Sequence, residues 1–393
     1  MDWKKSEDEF KLNYNKTKTE IKKAIKEKAF TLGSGGSSNI IILRSNYVIK
    51  ITPNMKGTKT NNDYLEPEIY KKLTRNFLQT DITPHIVGSY KKYTLDDIKI
   101  VFPSKCLTLD ELIVLPAEKR NKTQEELCKI KKSYENNFIN KKAIITVLEN
   151  CPTTIEAQLI HIISSKEKFI IRLFRFTSLI RRILFQFMFT LGQIHLQYPD
   201  FIHNDLFLRN ILAIVITDYD IKDYVQYNHM GKKYYLPANG IYIKINDFGY
   251  TLNILDKNST LENEIKQTSH SNFEINNKLR DVYTFLYDLY DGQGLGSLSV
   301  KTIITDYVKN NEENKKFMET FKKQIGLFFD YAIIDKIQSK NMGALDWIWN
   351  ISESKILSKT IKKPNDYFKA NLFNFFLQLP DECRVVKIYG DKL

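Results

Sequence analysis

His203-Asn204-Asp205-Leu206-Phe207-Leu208-Arg209-Asn210 and, further along, Asn246-Asp247-Phe248-Gly249 are the stretches that decide how this chain folds. An Asp and an Asn five residues apart on a tight loop can point at one place. The carboxylate of Asp205 can then accept a hydroxyl proton, and the amide oxygen of Asn210 can ligate a hard cation. The second stretch is preceded by Ile243-Lys244-Ile245, whose apolar alternation predicts a strand running into Asp247. A carboxylate at the end of that strand suits Mg2+ bridging nucleotide phosphates.

Upstream of the first stretch lies the longest helical pattern, about 172–197. Leu173, Phe176, Ile180, Ile183, Leu184, Phe187, Leu191 and Ile194 fall on one apolar face. The rest of the chain after Pro152 also reads mainly as helix. The first 150 residues read differently. Ile40-Ile41-Ile42-Leu43 and Tyr47-Val48-Ile49-Lys50-Ile51 predict a strand–turn–strand unit with Asn46 in the turn. A helix is expected over roughly 63–75, with further strands at Ile98–Phe102 and Ala143–Leu148 and a polar, helix-containing insertion over 104–142. At the start, Trp3, Phe10, Tyr14, Ile21 and Ile25 line one face of a leading helix within 1–28.

The 393 residues are 42% apolar and 27% charged, the composition of a globular protein with ample core. No run approaches the ~18 apolar residues of a membrane span, and the charged N-terminus carries no signal-peptide pattern. A cytoplasmic setting is expected, without a membrane partner. Cys106, Cys128, Cys151 and Cys383 form no C-x-x-C pair, so all four are expected as reduced thiols. The formal charge of +13 favours anionic partners. Its lysines are scattered in pairs, and no known aromatic-basic module appears, so nucleic acid is not an expected partner.

H-x-D-x-x-x-x-N followed by D-F-G resembles the protein-kinase family. Leu191-Gly192-Gln193-Ile194-His195 through Tyr198-Pro199-Asp200-Phe201-Ile202-His203 is similar to kinases encoded by large DNA viruses. The resemblance covers about 30–375. It implies an α+β, bilobal protein-kinase-like fold: a helical extension over 1–28, a small β-rich N-lobe over 29–150 with its insertion, and a larger α-helical C-lobe over 151–393. It also implies ATP and Mg2+ as cofactors, and a host cytoplasm or virion as the location. The site residues follow from it one by one. Gly33, Ser34, Gly35, Gly36 and Ser37 resemble the Gly-rich phosphate loop, although Ser38 stands where a third glycine is usual. Lys50 would contact the α- and β-phosphates, Glu149, Asn150 and Cys151 would form the adenine hinge, and Asn210 and Asp247 would hold the metal. Asp205 would be the catalytic base and Asp281 the brace of its loop, with His203 packing on Phe248. Lys363-Pro364-Asn365-Asp366-Tyr367-Phe368 resembles a closing C-lobe helix.

The acidic partner of Lys50 must be Glu66 or Glu68. Glu66 precedes Ile69 and Tyr70 by three and four residues and shares their inward face, whereas Glu68 lies far around the helix. Glu66 is the choice, with Pro67 expected in the first turn.

Three departures qualify the resemblance. Asn204 replaces the Arg that normally pairs with an activation-loop phosphate, which predicts activity independent of loop phosphorylation. Phe207 stands where Ser/Thr kinases keep a lysine, while Arg209 sits where tyrosine kinases carry an arginine. Arg209 either supplies the missing charge or anchors the loop, so Ser/Thr and Tyr acceptors both stay open. No A-P-E triplet occurs between Gly249 and Asp281. The expectation is an ATP-dependent kinase acting on protein hydroxyls. The alternatives are a small-molecule phosphotransferase of the choline or aminoglycoside type and a nucleotide-binding pseudokinase scaffold.

Overall fold

β-Branched runs build the first sheet and apolar helical stripes build most of the rest, giving an α+β protein. The structure, a computed structural model, describes residues 14–27, 31–32, 40–43, 47–56, 62–103, 106, 122–255, 279–291, 298–328 and 362–390. These residues fall into two compact units: 1–74 with 88–150, and 75–87 with 151–393.

In the first unit, α1 (Tyr14–Lys26) precedes β1 (Thr31–Leu32), β2 (Ile40–Leu43) and β3 (Tyr47–Met55). Then come α2 (Asn62–Leu73), β4 (Ser89–Leu95), α3 (Lys122–Glu135) and β5 (Ile139–Glu149). The five strands form one antiparallel sheet in the order β1-β2-β3-β5-β4. Ile40, Ile42, Ile49 and Ile51 bury one face, and Leu65, Ile69, Tyr70 and Leu73 bury the inward stripe of α2. Ile21 and Ala24 bury the inner face of α1, while Trp3 and Phe10 lie outside the described residues.

Three expectations are corrected in this unit. Ile98–Val101 closes into a 3-10 turn rather than a strand. Asp97 caps it by accepting the Lys99 N–H at 3.0 Å, and Ile98 and Val101 bury together at three-residue spacing. Pro67 lies inside α2, past the first turn where it was expected. Cys106 and Cys128 form a disulfide, with Cα atoms 5.7 Å apart, whereas Cys151 and Cys383 remain thiols. A separation of 22 residues matches no motif, and the pair meets through the packing of α3.

The second unit holds β6 (Thr153–Thr154), α4 (Ile155–Ile163), α5 (Phe169–Gln197), β7 (Ile211–Ile216), β8 (Asp223–His229), β9 (Lys232–Pro237) and β10 (Gly240–Ile245). After these come α6 (Arg280–Asp291), α7 (Val300–Tyr307), α8 (Asn311–Ile325), α9 (Pro364–Lys369) and β11 (Arg384–Gly390). The expected dominance of helix overlooks all but one strand of two three-stranded sheets, β10-β7-β6 and β11-β8-β9. In the second of these, β8 and β9 form a hairpin turning on Met230 and Gly231, both at positive φ. β11 returns from the far end of the chain to pair parallel with β8. Gly390 permits that approach, because a Cβ there would lie 1.9 Å from the Asn228 carbonyl oxygen.

α5 is the spine of this unit, with Phe176, Ile180, Ile183, Leu184, Phe187, Leu191 and Ile194 all buried. Its polar side chains close backbone groups that would otherwise be lost. Gln186 donates to the Ile241 carbonyl and accepts the Ile243 N–H, each at 3.0 Å, sealing the outer edge of β10. Arg182 donates to the Asn239 and Pro237 carbonyls at 2.7 Å. These contacts fix the strand that delivers Asp247. Among the described residues no helix is long and apolar enough to cross a membrane.

Candidate active site

The loop 203–210 follows α5 and is held from beneath by two acids of α6. Asp281 accepts the backbone N–H groups of His203 and Asn204, at 2.7 and 2.9 Å. Asp288 accepts the Leu208 N–H at 2.6 Å. One carboxylate brace therefore sits at each end of the loop. Asn204 takes positive φ, which an Asn tolerates, and its side-chain amide donates to the Tyr250 carbonyl at 3.0 Å.

Two bonds tie this loop to 246–249. The Asn246 N–H donates to the Asn210 carbonyl at 2.9 Å, and His203 Nε2 donates to the Asn246 carbonyl at 3.0 Å. The Asp205 N–H points at His203 Nδ1 at 3.3 Å, which assigns the ring proton to Nε2. The His203 ring packs on Phe248 at 4.9 Å. Burial holds His203 down at about 4, so it stays neutral and serves as a spacer. Asp247 is left-handed, φ 62°, at the end of β10.

Asp205 is the most elaborately contacted side chain of the loop. Arg209 Nη2 donates to its Oδ1 at 2.7 Å, and Asn210 Nδ2 donates to its Oδ2 at 2.7 Å and its carbonyl at 2.8 Å. The guanidinium of Arg209 lies 4.4 Å from the centre of the Phe207 ring, and that ring is buried. Burial pushes the Asp205 carboxyl up to about 6, Arg209 pulls it down, and Asp247 pushes it up. Burial likewise raises Asp281 to about 6, against the two amides that favour its charged form.

In the first unit, Lys50 Nζ meets Glu66 Oε2 at 2.6 Å, with the two side chains only 12% and 3% exposed. Glu68 instead pairs with Lys92 on the surface, so the inward-face argument for Glu66 agrees with the geometry. Lys50 is held in register between Ile41 of β2 and Thr146 of β5. Glu149 is buried, and its Oε2 accepts the Gly88 N–H at 3.2 Å. Asn150 is the last residue of the first unit, and Cys151 begins the longer segment of the second. Gly33, Ser34, Gly35, Gly36 and Ser37 lie outside the described residues.

No family model matches the chain. A protein of Acanthamoeba polyphaga mimivirus named "putative serine/threonine-protein kinase" is 32% identical over 381 residues, covering 92% of each of the two chains. The chain belongs to this viral kinase family. In this kinase-family chain the sequence reading named Asp281 but overlooked Asp288. The signal was present, since Asp281 and Asp288, seven residues apart, share a helix face. Both are buried, and both point into the loop.

Proposed function

We propose that this chain transfers the γ-phosphoryl group of ATP to a protein hydroxyl, of Ser, Thr or Tyr. The observation that carries this reading is the pairing of Asp205 with Asn210 and Arg209 on a loop braced by Asp281 and Asp288. Folding alone gives no reason to gather a carboxylate, an amide and a guanidinium within 2.7 Å contacts on so short a segment.

The donor chemistry fits Mg2+. Asn210 turns its Nδ2 towards Asp205, which leaves the hard oxygen Oδ1 as its ligating atom. Asp247 supplies a carboxylate. Among the described residues no group of three or more His, Cys, Asp or Glu side chains forms a ready-made metal cage. Two protein oxygens with phosphates and water completing the shell is the arrangement Mg2+ favours. When bound, the ion would neutralise phosphate charge.

The residues divide the remaining work. Lys50, oriented by Glu66, would contact the α- and β-phosphates. Glu149, Asn150 and Cys151 supply the adenine hinge. Asp205 orients the acceptor hydroxyl and takes its proton. Arg209, carried on Phe207, keeps the carboxylate aimed. The loose transition state of phosphoryl transfer asks mainly for such positioning and charge neutralisation.

Asn204 supports a second element of this reading. Its side chain bonds a neutral backbone carbonyl, Tyr250 O, where a cation would be needed to receive a loop phosphate. Activity therefore does not depend on phosphorylation of the segment after Gly249. The decisive experiment offers radiolabelled ATP with myelin basic protein, casein or choline to wild type and Asp205→Ala. Label in protein hydroxyls that disappears in the variant is expected. Label in choline alone, or turnover unchanged by the substitution, would overturn the reading. Treating the enzyme with phosphatase should leave its activity largely intact.

A further inference from the structure

The formal charge is divided unequally between the two units. The first contains 27 Lys and Arg against 18 Asp and Glu, a net +9 of the chain's +13. It also exposes one large aromatic side chain in a basic setting, Phe138, at 59% of its full accessibility. Phe138 stands in the turn that joins α3 to β5, with exposed Lys132 before it and exposed Lys141 and Lys142 after it.

This turn is rigid. The Phe138 N–H donates to the Ser133 carbonyl at 2.9 Å, and its carbonyl accepts the Lys56 N–H at 2.7 Å. Asn137 adopts φ 68°, stopping the helix, and its side-chain oxygen accepts from the Lys56 ammonium. The ring is thus presented on a backbone fixed from both sides, so little ordering entropy remains to be lost on binding. Phe138 immediately precedes β5, where the pairing with β3 is irregular between Pro53 and Met55. Asn140 is half-buried and Lys141 and Lys142 are both exposed after it, while Ile139 and Ala143 are buried. Lys56 lies beside this turn, bonded to Phe138 and Asn137, and Asn136 precedes it. Acids are near as well: Glu135 precedes the turn, and Asp97 lies 3.8 Å from Lys141.

We propose that this turn is a binding site for single-stranded nucleic acid, with Phe138 stacking on a base and Lys142, Lys132 and Lys56 meeting phosphates. An aromatic face beside amides and ammonium groups is what an unstacked base and its backbone require. The amides of Asn136 and Asn140 add hydrogen-bonding capacity for base edges. One ring offers too little apolar area to hold the protein on a lipid surface. An acidic peptide would use the lysines but leave the ring without a role. The sequence reading found no known module here because the ring, the amides and Lys56 come together only through the β3–β5 pairing. The inference is independent of the phosphotransfer reading.

The test is fluorescence anisotropy of a labelled oligouridine with the full chain, titrated against salt. Phe138→Ala, Lys142→Glu and, as a charge-matched control in the second unit, Lys315→Glu are compared. Binding that weakens log-linearly with salt is expected. Phe138→Ala should weaken it about tenfold, and Lys142→Glu should weaken it and flatten the salt slope. Lys315→Glu should bind as wild type. Phe138 and Lys142 are exposed, so thermal midpoints should not move. Absence of binding at low salt would overturn the proposal. So would Phe138→Ala binding like wild type, Lys315→Glu weakening binding as much as Lys142→Glu, or polyglutamate or phosphatidylserine vesicles competing as well as unlabelled oligouridine.

Discussion

Arg209 reaches back four residues to Asp205 and donates to its carboxylate at 2.7 Å while its guanidinium rests on Phe207. The contact joins a positive charge to the proposed base, while Phe207, two residues after Asp205, is buried. Arg209→Ala should lower kcat by about tenfold or more, the scale of a charge-assisted hydrogen bond, with a smaller effect on the KM for ATP. Arg209→Lys should recover only part of the loss, since a lysine cannot reproduce the planar stacking on Phe207. Steady-state kinetics on both variants decides this, and a kcat unchanged in Arg209→Ala contradicts the assignment.

Lys50 and Glu66 form a largely buried ion pair, and removing one charge leaves the other uncompensated across that contact. Lys50→Met should cost on the order of 3 kcal/mol in urea unfolding and remove the stabilisation that the proposed function predicts with Mg-ATP. The double variant Lys50→Met/Glu66→Leu should regain much of the stability but not the nucleotide response. A double variant no more stable than the single one would show that the pair itself holds the fold.

His229 connects three distant parts of the second unit. Gln193 Nε2 donates to its Nδ1 at 2.8 Å, and its Nε2 donates to Asn365 Oδ1 at 3.0 Å. Gly192 leaves room for this chain, because a Cβ there would lie 2.4 Å from the Asn365 oxygen. Burial lowers His229 to about 4, against the raising effect of Asn365. The unfolded chain then binds the proton more readily than the folded one, so this stability is present above about pH 6.5 and is lost towards pH 4. The amount is roughly 3 kcal/mol. His203 adds the same sign, whereas Asp205 and Asp281, raised to about 6, oppose it by favouring the folded state as pH falls. The measurement is therefore a difference: His229→Gln should be less stable at pH 7 and lose less on acidification to pH 4.5. Equal losses in both proteins would refute the role of His229.

The Cys106–Cys128 disulfide should be visible as a reductant effect. Dithiothreitol, or Cys128→Ser, should lower the unfolding free energy by about 3 kcal/mol, the loop-closure scale for such a separation. The two treatments should not add. Mass spectrometry of the alkylated native protein should count two thiols, Cys151 and Cys383; four would rule out the bridge.

What the sequence alone determined is what depends on local order. The 203–210 and 246–249 segments carry their proposed chemistry within a few residues, and the α2 stripe Ile69, Tyr70 and Leu73 distinguished Glu66 from Glu68 as the partner of Lys50, because helical periodicity is a local property. The α5 face was legible for the same reason. Tertiary structure decided what depends on distant partners. β8 and β9 are polar enough to hide as loops until β11, some 160 residues on, pairs with β8. Ile98–Val101 has strand-like composition, and the Asp97 cap turns it. The Cys106–Cys128 bridge and the setting of Phe138 exist only once separate elements meet, as does the contact of Asp288 with the Leu208 N–H, although the helix face that Asp288 shares with Asp281 is local. Such meetings are fixed by packing across the chain, and no window of neighbouring residues records them.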